Sequence, residues 1–488
     1  MILKYFRKYA LISLLALSIS IPQAAEAASS STTGTTTNEA TNTSDLTTLQ
    51  EVLNYLETYN IEGVDRKEFL DSAIRGMVYS LDDPYSDYFS SEELQKFENG
   101  LNQEYVGIGV TLRYHDHKLY VTDVLASSPA AAAGLRQNDI ITKVDGQAIA
   151  SQEDTAKIQG KENTQVQITV NRSGKSLTLS INRAHFALPS VTGKMIPSSK
   201  VGYIAISTFS ETADDEFATK LAQLRKEGIA SLVLDLRDNL GGYVESAANI
   251  AKHFMKNGIL MYTSDQSNEL QPVTITDGED IGMPVVVLTN GLTASASEIL
   301  TGSLRDNGLA TVIGSQTYGK ARIQNLFKLS NGSSLKLTVQ KYLTPNKEDF
   351  NHIGLKPDIT VKNSTAAQLI TGLYKSGVRK VEVSGSPSSL YVNGAPFAGY
   401  VDVLQTGGKT YVPSQIVAAL IQGKAEWTPS LKKLTLTDKN GKRTGYTVAA
   451  KSTKIVGNES FIELHDLKQK VPNLTWSYQQ GILKLSLN

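Results

Sequence analysis

The chain has 488 residues, with 48 Lys+Arg against 48 Asp+Glu, 40% hydrophobic and 20% charged residues, a length and make-up that point to several globular cores. With charge balanced and no run of Lys and Arg outside the extreme N-terminus, no bulk field would draw nucleic acid or acidic membrane to it. Cysteine is absent, which excludes disulfides, a thiolate nucleophile and cysteine metal sites.

Lys4, Arg7 and Lys8 lead an apolar stretch over residues 10–22, and Ala25-Glu26-Ala27 follows as a small-x-small pattern. This predicts a signal peptide over residues 1–27, cleaved after Ala27 or kept as an anchor, and a body exported to the cell envelope or the outside. Residues 28–45 are nearly all Ser, Thr, Ala, Asn and Gly, the composition of a flexible linker. From Leu46 the spacing turns helical, with Leu49, Val52, Leu53 and Leu56 on one face. A second amphipathic helix is predicted over residues 66–81, ended by Asp82-Asp83-Pro84.

Residues 102–184 read as short strands and turns, beginning with a glycine-interrupted strand, Tyr105-Val106-Gly107-Ile108-Gly109-Val110. From Val201 strands and helices alternate. Strands are predicted over 202–206, 230–236, 284–289 and 311–314, and helices over 214–226, 246–255 and 295–305. Two of these strands, 230–236 and 284–289, are nearly continuous apolar runs, as in a parallel sheet covered on both faces. After Gly385 comes a diverged repeat. Tyr411-Val412-Pro413 precedes Trp427 and then Leu434-Thr435-Leu436; Phe461-Ile462-Glu463 precedes Trp476 and then Leu483-Lys484-Leu485. Two matched units of strand, helix, Trp and strand predict a small separate domain.

Three segments could carry chemistry. Thr293-Ala294-Ser295-Ala296-Ser297-Glu298 follows a buried strand, so Ser295 falls where α/β proteins place ligands, at a helix N-terminus rich in N–H donors. The same residue would serve as an ordinary N-cap. Leu236-Arg237-Asp238-Asn239-Leu240-Gly241-Gly242 closes another buried strand, and paired glycines can present N–H groups to an oxyanion or simply make the turn. The run from Gly314 to Lys320 nearly spells a P-loop, but Ala321 replaces the magnesium-binding hydroxyl and residues 323–329 alternate like a strand. There is no G-x-S-x-G elbow. None of the six histidines forms a metal-ligand pair at helical spacing, and His115 and His117 flank a turn. Neither a metal nor a cofactor is implied.

Ser295-Ala296-Ser297-Glu298, Gly319-Lys320 with Gln324 four residues on, Leu236 to Gly242, Tyr342-Leu343-Thr344-Pro345, Gly354-Leu355-Lys356-Pro357-Asp358 and Ser80-Leu81-Asp82-Asp83-Pro84-Tyr85-Ser86 occur in this order. Together they resemble the carboxyl-terminal processing, or tail-specific, serine proteases of peptidase family S41. The resemblance implies Ser295 as nucleophile, Lys320 as its general base and Gln324 as the group orienting the lysine. Ala296 and the Gly241-Gly242 turn would form the oxyanion hole. Such a base requires burial, because a free lysine near pKa ~10.4 is almost never neutral at pH 7. The family also implies that residues 102–184 resemble a PDZ domain, with Tyr105, Val106, Gly107, Ile108 and Gly109 holding a peptide C-terminus. Relatives commonly carry R-G-K where this chain has Gln159-Gly160-Lys161, which puts arginine-based control by the PDZ domain in doubt. The C-terminal repeat is similar to the small N-terminal domain of copper amine oxidases, without implying copper, since His465 is its sole histidine.

The expected architecture is therefore multidomain α/β. An N-terminal helical part (46–101) precedes a PDZ domain (102–184) inserted in an S41-type α/β protease core (185–378), and a small α+β repeat domain (386–488) follows. The expected partners are protein or peptide substrates, with a homodimer through the N-terminal helices by analogy. Two other classes compete: a PDZ adaptor with a dead protease domain, and a P-loop nucleotide-binding enzyme.

Overall fold

The computed structural model describes residues 39–487 apart from residues 64 and 363. The predicted signal segment and the tether as far as residue 38 lie outside the described residues. Helix Glu39–Tyr59 begins inside the stretch expected to be linker. Once residues 46–59 nucleate a helix, adding turns at its N-terminus costs little even for Thr and Asn. Asp65 caps the second helix, Arg66–Tyr79, by accepting from the N–H groups of Lys67 and Glu68. The apolar stripe of the first helix is not core: Leu53 is buried, but Leu46, Leu49, Val52 and Tyr55 are exposed.

The predicted strand over residues 105–110 is two strands in different sheets. Glu104–Gly107 pairs with Ala184–Ala187, whereas Val110–His115 opens the sheet of the strand-rich domain. Gly109 makes the break. Its φ is +78°, and a Cβ there would lie 2.2 Å from Ser128 Cβ. Val110–His115, Lys118–Val124, Ile140–Val144, Gln165–Arg172 and Lys175–Asn182 then form an antiparallel sheet in that order. Its inward residues, among them Leu119, Val121, Ile141, Val166, Ile168 and Val170, enclose a core of their own.

The central sheet runs Val191–Met195, Val201–Ile206, Ser231–Asp235, Val285–Thr289, Ala310–Gly314, Ile359–Thr360; only its first pair is antiparallel. Both faces are covered, as the nearly continuous apolar runs predict. Leu232, Leu234, Val285 and Val287 face helices Ala213–Lys226, Val244–Ala251 and Ala296–Asp306. Val233, Val286 and Leu288 face helix Thr365–Lys375 and, beyond it, the C-terminal unit. A second sheet holds Asp87–Phe89, Ser334–Leu343, Gly258–Ser264 and Gln271–Ile275, with Arg322–Lys328 paired to Ser334–Leu343.

The C-terminal unit is not separate. Strand Glu382–Ser386 pairs with Ile482–Leu487, so the unit starts before residue 386. Leu369 and Leu373 share one continuous apolar core with Val417, Leu420, Leu464, Leu467 and Leu485. Within it, Lys409–Pro413, Ser414–Leu420, Lys424–Thr428 and Lys433–Thr437 run strand, helix, strand, strand. Glu459–Glu463, Leu464–Lys470, Leu474–Gln479 and Ile482–Leu487 run the same way. The first strands of the two sets pair with each other, and Trp427 and Trp476 sit on the third elements.

Candidate active site

The turn after strand Val285–Thr289 holds Ser295 at φ 57°, ψ −117°, far from ordinary backbone wells. This is the strained strand-to-helix turn that G-x-S-x-G normally announces, built here without that motif. Ser295 does not cap the helix through its side chain. Its Oγ is buried with no hydrogen-bond partner, while its N–H is donated to Glu298 Oε2 at 2.9 Å. A nucleophile needs such an uncommitted hydroxyl; a cap does not leave one.

Glu298 is the hub of the site. Fully buried, it accepts from the N–H groups of Ser295 (2.9 Å), Gly319 (2.7 Å) and Lys320 (2.9 Å) and from the Thr317 hydroxyl (2.5 Å). Burial pushes its carboxyl upward, and these donors oppose the shift. The Tyr342 hydroxyl makes a second tie, donating to Lys320 O at 2.5 Å and reaching Ser295 O at 3.1 Å. Two side chains thus fasten the Ser295 turn to the Lys320 loop.

Lys320 is wholly buried, with its Nζ 5.0 Å from the centre of the Tyr85 ring. Burial drives its pKa well below the ordinary 10.5 and Lys336 pushes the same way, against weaker opposing pulls from Asp83 and Glu298. The N–H groups of Gly319 and Lys320, which a P-loop would turn to phosphate, are spent on Glu298, and strand Arg322–Lys328 follows where a P-loop needs a helix. Gln324, on that strand and equally buried, donates through Nε2 to Thr338 Oγ1 at 3.1 Å.

The glycine turn adjoins the serine turn through Asn239, whose carbonyl accepts from Ala294 N–H and Ser297 Oγ, both at 3.0 Å. Behind it the buried pair Asp235–Arg237, joined by the Tyr203 hydroxyl, braces the strand end. The two glycines are not equivalent. Gly241 donates its N–H to Asn239 Oδ1 at 2.8 Å and so cannot also face an oxyanion. Among the described residues, the N–H groups of Gly242 and Ala296 have no acceptor. A side chain at Gly242 (φ +140°) would meet Phe209 O at 2.2 Å, so the conformation exposing that N–H requires glycine.

Tyr105, Val106, Gly107, Ile108 and Gly109 line a groove of about 730 Å³, with Val110, Leu112 and Ile158 on its walls and Gln159 at its rim. Arg183 supports that rim from below, donating to Ile158 O and Lys157 O. Among the described residues no group of three or more His, Asp or Glu could hold a metal ion. His115, read as part of an exposed turn, lies against Asp402 at 3.4 Å.

Sequence reasoning missed the parts played by Glu298, Tyr342 and Asn239. Ser-x-x-Glu is a capping-box spacing, which would have linked Glu298 to the Ser295 N–H. Nothing in the sequence ties Glu298 to residues 317–320.

Residues 200–361 match the profile of Peptidase family S41 and residues 106–182 that of the PDZ domain. Residues 8–93 match the activating protease CtpB N-terminal domain. The fold is thus that of an S41 protease with a PDZ domain. Among individual relatives, the carboxy-terminal processing protease CtpB of Bacillus subtilis (strain 168) is 36% identical over 310 residues, covering 62% of this chain and 65% of that protein. A probable CtpA-like serine protease of Staphylococcus aureus (strain COL) is 34% identical over 327 residues, 66% of each chain. The matches therefore span about two thirds of the length of these relatives. Among solved structures, the photosystem II D1 C-terminal processing protease is 28% identical, with a TM-score of 0.44 over 70% of this chain and 93% of its own.

Proposed function

We propose that this protein is an exported serine endopeptidase in which Lys320 activates Ser295. The observation that carries the reading is the unbonded Ser295 Oγ on a strained turn, fastened through Glu298 and Tyr342 to a lysine whose pKa burial drives well below its ordinary value. Neutral Lys320 takes the Ser295 proton as Oγ attacks the scissile carbonyl, and the N–H groups of Ala296 and Gly242 receive the oxyanion. Lysine then protonates the leaving amine, and water, activated the same way, releases the acyl group from Ser295. Gln324 orients the lysine. This chemistry needs neither metal nor cofactor.

The groove at Tyr105–Gly109 is assigned to substrate C-termini or unfolded segments, which would add a strand beside Val110–His115. The exposed stripe Leu46, Leu49, Val52, Tyr55 is assigned to a second copy of the chain. The C-terminal unit is assigned to the copper-amine-oxidase N-terminal type, in a binding or spacing role. Export rests on the basic and apolar pattern of residues 1–27.

The test is cleavage of labelled casein and of a tailed substrate by wild type, Ser295→Ala and Lys320→Ala. Either substitution is expected to cut the rate by about 10³-fold or more. Retained cleavage in both variants would overturn the assignment.

A further inference from the structure

Ahead of the catalytic domain, the turn over residues 82–86 is knitted into the site by a run of hydrogen bonds. The Asp83 carboxylate accepts from the Ser86 hydroxyl at 2.6 Å and from the Tyr85 N–H at 3.1 Å. Burial pushes this carboxyl up, but those hydrogen bonds outweigh it and hold it below the ordinary 3.8. At neutral pH Asp83 is therefore an acceptor only.

That polarity propagates. Ser86, having given its proton to Asp83, accepts from the Thr338 N–H at 3.0 Å. The Thr338 hydroxyl oxygen in turn accepts from Gln324 Nε2 at 3.1 Å. The carboxamide of Gln324 thus has its nitrogen on Thr338, and its oxygen is buried. The same turn aims the Tyr85 ring at Lys320 Nζ, and burial lifts the Tyr85 phenol to about 12, so it stays neutral there.

We propose that Asp83 is the positioning residue of the general base, setting the orientation of Gln324 through Ser86 and Thr338 and holding Tyr85 against Lys320. The proposal rests on the assignment of Lys320 and Gln324 made above. It makes a turn outside the matched peptidase core an integral part of the active site. That turn is itself tied to helix Arg66–Tyr79, where Tyr88 donates to Asp71 and its carbonyl accepts from Arg75.

The experiment is the pH profile of kcat and KM for Asp83→Asn, Thr338→Val and Thr338→Ser, with circular dichroism as the check on folding. Asp83→Asn keeps the shape but adds donors where the Ser86 hydroxyl and the Tyr85 N–H must donate. A fall in kcat of about 10- to 100-fold is expected, as for groups misplaced by an ångström or less, with KM changed less than about 2-fold. Because Asp83 supports the charged form of Lys320, its loss should also move the acidic limb of the profile to lower pH. Thr338→Val should lose kcat without moving the limb, and Thr338→Ser should restore it. A wild-type kcat and an unmoved limb in Asp83→Asn would overturn the proposal. If Asp83→Asn does not fold, equal activity in the Val and Ser variants at 338 would overturn it instead. Failure of the underlying assignment reads differently: Lys320→Ala would then remain active.

Discussion

The Ser295 turn and the bed on which residues 382–487 rest border the same parallel sheet, yet they are joined to it by different forces. At the turn, Glu298, Asn239 and Tyr342 bury polar atoms and satisfy them across loops far apart in sequence. On the sheet's other face, Val233, Val286 and Leu288 meet Leu369, Leu373, Val417 and Leu420 with only apolar atoms. The buried Ser231 hydroxyl donates to Ser376 O at 2.7 Å, and the polar links to the PDZ domain lie at the rim. There Arg113 of the PDZ domain reaches Asp402 at 3.1 and 3.2 Å, bonds Pro387 O and lies over the Tyr400 ring. Apolar contact accepts many sequences of similar volume, whereas a satisfied buried network accepts few. The polar join leaves short fixed motifs in a sequence; the apolar join leaves only periodicity.

The largest expected effect lies in the polar join. Glu298→Gln keeps the volume but gives one end of the side chain N–H bonds. Each carboxylate oxygen now receives two donors, so either orientation of the amide sets donors against donors. A loss of about 3 kcal/mol is expected, together with a fall in cleavage of at least about 100-fold. Denaturant unfolding and casein turnover measure the two. Wild-type values in both would mean that Glu298 is not the clamp.

That contrast also explains what was legible in advance. Ser295, Lys320 and Gln324 could be singled out because a buried apolar strand and fixed motif spacing converge on them. Glu298 stood in view, but its role depends on donors 19 to 22 residues away, which no local pattern encodes. Gly241 was paired with Gly242 as an oxyanion donor. An Asx turn at Asn239, readable from residue type, spends the first N–H and leaves the second. The strands and helices after residue 401 follow from their alternation and the spacing of the two tryptophans. That they lie on the catalytic sheet does not, because an apolar face does not name what will cover it. The first helix fails for the same reason: its stripe is amphipathic, and nothing among the described residues covers it.

A middle-sized effect should come from the rim. Arg113 and Asp402 are both mostly buried, so Arg113→Ala leaves a carboxylate without its main counter-charge and removes the stacking on Tyr400. About 1–2 kcal/mol of local stability should be lost. Faster hydrogen exchange is expected over residues 110–124 and 395–402, with the central sheet unchanged. Arg113→Lys should restore little of it, since an ammonium cannot bridge both carboxylate oxygens and stack at once. Protection unchanged in Arg113→Ala would show that the other PDZ contacts, Tyr391 with Gln137 and Ser388 with Asn138, suffice to hold the domain.

The smallest effect concerns Glu459, beside that same rim. Burial lifts its carboxyl to about 7 from the ordinary 4.5; Asp402 adds to the rise and Arg113 opposes it. A folded-state pKa above the unfolded value means that the native protein binds the extra proton. The stability gained from it is complete below about 4.5 and is lost as the pH climbs through 7. The rim should therefore weaken between pH 5 and pH 8. A sealed carboxyl would contribute about 1.4 kcal/mol per unit, but partial exposure of Glu459 reduces the whole effect to about 1 kcal/mol. Glu459→Gln, neutral throughout, should raise the melting temperature at pH 8 and leave it nearly unchanged at pH 5. Combining Arg113→Ala with native Glu459 should steepen the pH dependence, because the cation opposing the shift is gone. If Glu459→Gln lowers the melting temperature at pH 8 instead, the carboxylate is being held charged, and the rim is a polar join of the same kind as the one around Glu298.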